Sequence, residues 1–164
     1  PTVAGAWLMV RAGLAHLYGD DLPQRGDIEV HFRDPRDAGT TGVIAAVATL
    51  LTGAAPETGF GGIGAGRRFA RRDLMHFDVP IAGLMGLRRR DNGRGVVLDL
   101  NPASVPPHRD MSPLFAKAVA GQATEAEAAR FGALWQDRVA RMLLDNADNP
   151  ALVPLSEWEA VAAS

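Results

Sequence analysis

The sequence predicts an α+β fold in which a small mixed or antiparallel sheet packs against helices, followed by a helical C-terminal region. Helical and strand-like hydrophobic periodicities follow one another along the first 102 residues, and an Asp-Asn-Gly turn joins two extended segments. The last third of the chain carries helical signals. We therefore predict a core over residues 1–102 and a helical extension over residues 103–164, packed on the core or on a second subunit.

The first half of the chain predicts a helix, a strand and a second helix. In residues 2–18, apolar side chains recur at steps of three and four residues: Val3, Trp7, Val10, Leu14 and Leu17. Residues 28–33 alternate apolar and polar side chains, as in a half-buried strand, with His31 on the polar face. Residues 41–51 are apolar and rich in alanine, so we expect a helix buried on most sides that stops at Gly53.

A glycine-rich loop and three extended segments follow. Six of the fourteen residues from 53 to 66 are glycine, which predicts a loop. Residues 72–79 alternate, which predicts a strand with Met75 on one face and His76 and Asp78 on the other. Residues 84–90 and 95–100 flank an Asn-Gly pair and predict a hairpin.

The C-terminal third predicts two helices and a docked tail. Ser112 and Pro113 resemble an N-cap and first-turn pair, after a loop with three prolines. Thr124 and Glu127 have the spacing of a capping box, opening a helix that reaches about residue 144. Its expected buried stripe is Phe131, Trp135, Val139 and Met142. Residues 151–164 are too apolar for a free linker and should dock on the body or on a second subunit.

Composition narrows the function classes. The chain has 164 residues and a net charge of -2, without the positive charge typical of nucleic-acid-binding proteins. Its longest apolar stretch, nine residues, is too short to cross a membrane. The absence of cysteine excludes disulfides and thiolate sites from these residues. We therefore expect no nucleic-acid or membrane partner and a cytoplasmic location.

Residues 67–94, here called the basic segment, carry eight arginines and three acids, whereas both flanking regions are acidic. Backbone N–H groups of the glycine loop and nearby guanidinium groups could bind an anionic cofactor, such as a pyrophosphate-bearing pterin. The candidate cofactor-binding residues are Gly61, Gly62, Gly64, Arg67, Arg68, Arg71 and Arg72. The alternatives are a solvated loop and arginines neutralised by acids of the flanking regions. Neither a Rossmann site nor a Walker A loop fits this context.

Two of the four histidines are candidate metal ligands. His31 and His76 lie on predicted strands, each with an acid two residues away on the same face, Glu29 and Asp78 respectively. Neutral imidazole binds zinc and iron, so a transition metal ion is the expected cofactor. The alternative is a polar sheet face without a ligand. A serine hydrolase is not indicated, since no G-x-S-x-G turn is present.

The N-terminal part of the chain resembles the FmdE family, which takes its name from a component of the molybdenum formylmethanofuran dehydrogenase. Residues 1–6 are similar to the segment that follows a His-Gly-His-x-Cys-Pro opening in that family. We therefore expect upstream residues with Cys directly before Pro1 and His within a few positions. Residues 46–51 are similar to a helix of the family, and Thr52-Gly53-Ala54-Ala55 to the Thr-Gly-Cys-Thr-like turn that ends it. Arg71, Leu74 and Asp78 are similar to residues at the start of the family's next strand.

Three departures from the family pattern stand out. Ala54 replaces the second cysteine, residues 56–70 look like an insertion, and the zinc-ribbon tail is absent. The resemblance implies an α+β core, a homodimer and a metal-binding accessory or redox-related role, with a molybdenum or tungsten enzyme as partner. It implies zinc or iron held by the upstream His/Cys cluster with His31 or His76. The alternatives are an anionic-cofactor binding module and a stand-alone enzyme acting on a small molecule.

Overall fold

The computed structural model describes residues 1–158 and shows an α+β fold with a helical C-terminal region. The helices are α1 (Thr2–Tyr18), α2 (Thr41–Thr52), α3 (Met111–Val119) and α4 (Glu125–Ala140). The strands are β1 (Ile28–Phe32), β2 (Met75–His76), β3 (Met85–Arg89), β4 (Gly95–Leu98) and β5 (Leu155–Glu157). A 3₁₀ turn (Pro102–Ser104) precedes α3, and a π-helical turn (Arg141–Asp145) extends α4.

The five strands form one mixed sheet in the order β2-β1-β3-β4-β5. β1 and β2 are parallel, and the other neighbouring pairs are antiparallel. β5 therefore brings a segment of the predicted helical extension into the same sheet as the N-terminal core.

One face of the sheet packs against the helices. Apolar side chains at alternate positions of β1, such as Val30 and Phe32, are fully buried. α1 crosses this face closely at Gly13, where a Cβ atom would lie 2.6 Å from a methyl carbon of Leu87. The side chains between the buried ones, including His31, point to the opposite face, which we call the outer face.

The helix predicted over residues 41–51 is confirmed as α2, and it ends at Gly53 with a positive φ of 77°. Its burial is one-sided, however, contrary to the expectation of burial on most sides. Ile44 and Ala48 are buried, whereas Leu50 is 75% exposed. The structure thus leaves an apolar surface on α2 facing away from the core.

Two other local predictions need correction. The strand predicted over residues 72–79 contains only Met75 and His76, because Asp73 and Asp78 have φ values of 60° and 58°, which are incompatible with extended pairing. α3 begins at Met111 with Asp110 at the N-cap, so Ser112 lies inside the helix rather than capping it.

The hairpin, the capping box and the docked tail are confirmed. β3 and β4 pair across a turn in which Gly93 has a φ of 73°. The Thr124 side chain accepts a hydrogen bond from the Glu127 backbone, and the Glu127 side chain accepts one from the Thr124 backbone. In the tail, Leu152 is fully buried and β5 pairs with β4; residues 159–164 lie outside the described part. No helix among residues 1–158 is both long and apolar enough to span a membrane.

Candidate functional site

Sheet register brings the two predicted histidine ligands together on the outer face. β1 and β2 run parallel with His31 opposite His76, and the imidazole rings stack with their centroids 4.6 Å apart. Glu29 precedes His31 by two residues, so it lies on the same face of β1. These three side chains, from two adjacent strands, form what we call the Glu-His-His cluster.

The spacing in the cluster suits a shared ligand better than internal hydrogen bonding. One candidate ligand atom from each side chain lies within 4.8 Å of the other two. Glu29 Oε2 is 3.6 Å from His31 Nε2, which is too long for a hydrogen bond. His31 Nε2 is buried and has no hydrogen-bond partner among the described residues. A buried polar atom without a partner is costly, and a metal ion would supply one.

The surroundings of His31 keep its imidazole neutral. Burial, and secondly the nearby His76, lower the pKa of His31 from its ordinary 6.5 to about 4, although Glu29 acts in the opposite direction. At neutral pH the ring therefore carries a free nitrogen lone pair. This is the protonation state that coordinates metal ions.

Trp158, which directly follows β5, packs against the His31 side of the cluster. Its ring meets the His31 ring edge to face, with 4.7 Å between centroids, and the Arg88 guanidinium carbon lies 4.0 Å from the Trp158 ring centroid. Gly86 makes room for this indole, since a Cβ atom there would lie 2.7 Å from Trp158 Cζ3. Neither Trp158 nor Arg88 was predicted from the sequence as part of the site, because Arg88 is placed by the pairing of β3 with β1 and Trp158 by the pairing of β5 with β4.

The other polar candidates lie elsewhere. Asp78 was expected beside His76, but the backbone turns away at Asp78, whose φ is positive. Its side chain is exposed and does not belong to the cluster. His16 contacts Glu157, with Nε2 and Oε1 2.7 Å apart, and His108 Nδ1 lies 3.4 Å from Asp110 Oδ2. Only His31 and His76 of the four histidines therefore combine with an acid into a three-residue cluster in the described chain.

A cleft of about 500 Å³ adjoins the cluster at Glu29. We call it the arginine cleft, because five arginines line it: Arg25, Arg67, Arg71, Arg72 and Arg90. Three of the four arginines predicted to bind a cofactor are thus brought together. Arg68 is outside the lining and lies over the Phe69 ring.

The predicted glycines shape the neighbouring loop and do not line the cleft. Gly61, Gly62 and Gly64 are absent from its walls. Gly62 has a φ of 90°, and a Cβ atom there would lie 2.3 Å from the Arg67 carbonyl oxygen. Glycine at this position therefore allows the loop to fold back so that Arg67 reaches the cleft.

The arginines at the start of the basic segment are not neutralised by acids of the flanking regions. Within residues 1–158, no carboxylate lies within 4 Å of the guanidinium nitrogens of Arg67, Arg68, Arg71 or Arg72. Three of these guanidinium groups donate to backbone carbonyls instead. Their positive charge thus remains available to an external anion.

The structure places the other family-related positions away from the cluster. Ala54, at the position of the family's second cysteine, is fully buried in the core. Pro1 lies beside Trp135 in a groove formed by the helices, whereas His31 and His76 lie on the outer face of the sheet. Among the described residues, the donors that can share one metal ion are therefore Glu29, His31 and His76.

Comparison with known proteins assigns no family. No model of a known protein family matches the chain, and no curated protein matches it. The function is consequently inferred from the geometry of the Glu-His-His cluster and the arginine cleft.

Proposed function

We propose that this protein is a metal-binding accessory or redox-related protein that holds a divalent transition metal ion, zinc or iron, at Glu29, His31 and His76. The observation that carries this proposal is the convergence of three ligand atoms within 4.8 Å of one another. The buried, unpartnered His31 Nε2 supports it.

The donor set suits these metals. Two imidazoles and one carboxylate occur as protein ligands of zinc and of non-haem iron(II), and they leave coordination positions for water or another molecule. Such an ion acts as a Lewis acid, and iron additionally exchanges an electron. The Trp158 ring limits solvent access to the His31 side of the cluster.

The cellular role that we propose follows the resemblance to the FmdE family. In this role the protein is cytoplasmic, forms a homodimer and serves a molybdenum or tungsten enzyme. A metal-dependent role differs from a purely structural one in a testable way. Replacing the ligands should remove the metal ion, and with it the role, while the fold remains.

Zinc binding to the metal-free protein tests the proposal. Isothermal titration calorimetry, after treatment with a chelator, should show one Zn²⁺ per chain. Replacing a ligand, as in His31→Gln or His76→Gln, should weaken binding by about 100-fold or more, since even substitution of residues behind a ligand commonly weakens it 10–100-fold. Nickel(II) should quench the fluorescence of Trp158, whose ring contacts His31.

His108→Gln is the matched control, because it makes the same change at a histidine outside the cluster. It should bind zinc like the wild type. Far-UV circular dichroism of each variant would establish that the fold is retained. Equal zinc affinity of wild type, His31→Gln and His76→Gln would refute the proposed site.

A further inference from the structure

The arginine cleft is built from two segments that contribute backbone and charged side chains. The first segment contributes residues 24–27 and 29, and the second contributes residues 66, 67 and 69–74; Arg90 completes the lining. Its volume of about 500 Å³ lies in the usual range for sites that bind cofactors and other small molecules. The cleft is thus large enough for a molecule well above the size of a single inorganic ion.

Glycines allow two arginine side chains to lie flat against the backbone of the cleft. A Cβ atom at Gly26 would lie 1.4 Å from Arg71 Nη1, so any other residue there would displace the Arg71 guanidinium. Gly53 is also close, with a built Cβ 3.2 Å from Arg71 Nε and 3.3 Å from Arg25 Nη2. Hydrogen bonds then hold both side chains without a ligand: Arg71 donates to the Arg25 carbonyl, and Arg25 donates to the Leu50 and Leu51 carbonyls.

Internal hydrogen bonds use only part of the donor capacity. Each guanidinium group has five N–H donors. Arg71 Nη1 donates to the Arg25 carbonyl at 2.6 Å, Arg72 Nε to the Gly59 carbonyl at 3.1 Å, and Arg67 Nε to the Gly61 carbonyl at 3.3 Å. These bonds orient the side chains and leave most of their N–H groups for a ligand.

Charge in the cleft favours a ligand with more than one negative charge. Five arginines face three acids, Asp27, Glu29 and Asp73. The pair of lining residues whose charged atoms come within 4 Å is Arg90 and Glu29, at 3.7 Å. Arginine forks match the geometry of phosphate oxygens, and several forks together suit a diphosphate.

We infer that the arginine cleft binds a small molecule that carries a diphosphate group, with Arg67, Arg71 and Arg72 as its principal contacts. Phe69, which also lines the cleft and is 60% exposed, offers an apolar surface to the remainder of the ligand. This inference does not depend on the metal site. Glu29 belongs to both sites, but Arg67, Arg71 and Arg72 come from a segment that holds none of the metal ligands, and they need no metal ion to be positioned.

Thermal unfolding of the chelator-treated full chain with added pyrophosphate tests the inference. Pyrophosphate at a hundredfold excess over its dissociation constant should raise the Tm by about 5–10 °C for a chain of this size. The Arg67→Gln/Arg72→Gln double variant should lose most of this shift. Its Tm without ligand should stay near that of the wild type, because both side chains are exposed and bond only to loop carbonyls.

Arg68→Gln is the matched control: it removes one positive charge from the same segment but lies outside the cleft. It should retain the pyrophosphate shift.

The inference fails if pyrophosphate gives no saturable shift, or if Arg68→Gln and the double variant respond alike. An equal shift with citrate would overturn the assignment to phosphate. Tighter binding of a single-stranded oligonucleotide through the same arginines would overturn the assignment to a small molecule. Zinc binding, measured separately, is expected to survive in the double variant.

Discussion

His31 links the electrostatics of the site to the stability of the fold. Its pKa is lowered to about 4 in the folded protein, mainly by burial, and returns to about 6.5 when the chain unfolds. Between these values the unfolded chain binds a proton that the folded chain does not. Protonation of His31 therefore favours the unfolded chain. The contribution of His31 to the free energy of unfolding is fully present above about pH 6.5 and is lost as the pH falls towards 4.

We predict that the metal-free wild type loses on the order of 1–2 kcal/mol of unfolding free energy through this residue between pH 7 and pH 4.5. In His31→Gln this contribution is absent, so its stability should depend less on pH. Urea denaturation at the two pH values measures the difference. Parallel pH profiles for wild type and variant would show that burial of His31 does not disfavour its protonation.

The sequence identified the residues of the Glu-His-His cluster only in part. Alternation placed Glu29 and His31 on the polar side of β1, which the structure confirms. It could not show that His76 lies opposite His31, because strand register depends on contacts between distant segments. Trp158 could not be placed for the same reason, since its position follows from strand pairing near the C-terminus.

Among the secondary-structure elements, α4 offers the most direct test of local physics. Its capping box is complete, and Gly132 lies in its interior with no heavy atom within 4 Å of a built Cβ. Thr124→Ala should lower the free energy of unfolding by about 1 kcal/mol through loss of the cap. Gly132→Ala should raise it by about 0.5–1 kcal/mol through helix propensity.

The two α4 substitutions act in opposite directions within one helix, so urea denaturation of the pair provides an internal control. A midpoint unchanged by both would contradict the view that α4 unfolds together with the rest of the domain. If Gly132→Ala were less stable than the wild type, the conclusion that a Cβ atom fits at this position without a clash would be wrong.

Elements governed by local signals were predictable, and those governed by tertiary pairing were not. The Asn-Gly turn of the hairpin and the capping box act within a few residues, and both are confirmed. The helix α1 is also confirmed, but its predicted apolar face is only partly buried, since Val3 and Trp7 are exposed. β2 is shorter than its alternating pattern because two aspartates with positive φ bound it. β5 was not foreseen as a strand, since its three residues become extended by pairing with β4.

At the scale of the whole molecule, the helices expose an apolar groove of about 770 Å³, formed by residues of α1, α2, α4 and the π-helical turn. None of the thirteen side chains that line it is charged. Leu50 and Leu144 in this groove are 75% and 78% exposed. The tail residues expected to support a dimer are instead covered by the chain's own core, as Leu152 shows. The groove is the surface whose composition fits a second copy of the chain.

We predict a homodimer that buries this groove, with a total interface above about 1,000 Å². Leu50→Glu should convert it to a monomer, because a carboxylate would become buried without a partner. Leu22→Glu is the control, since Leu22 is 92% exposed and outside the groove. Light scattering coupled to size-exclusion chromatography measures the mass. A monomeric wild type at micromolar concentration would contradict the prediction.

The pairing of β4 with β5 also affects the order in which the site is completed. α3 and α4 lie between these two strands in the sequence, so β4 remains an open sheet edge until the C-terminal segment has been synthesised. A nascent chain that still holds residues 155–158 inside the ribosome has both histidine-bearing strands but lacks the indole that covers His31. We therefore expect the His31 side of the Glu-His-His cluster to be open to solvent during translation, until β5 pairs with β4 and brings Trp158 against it.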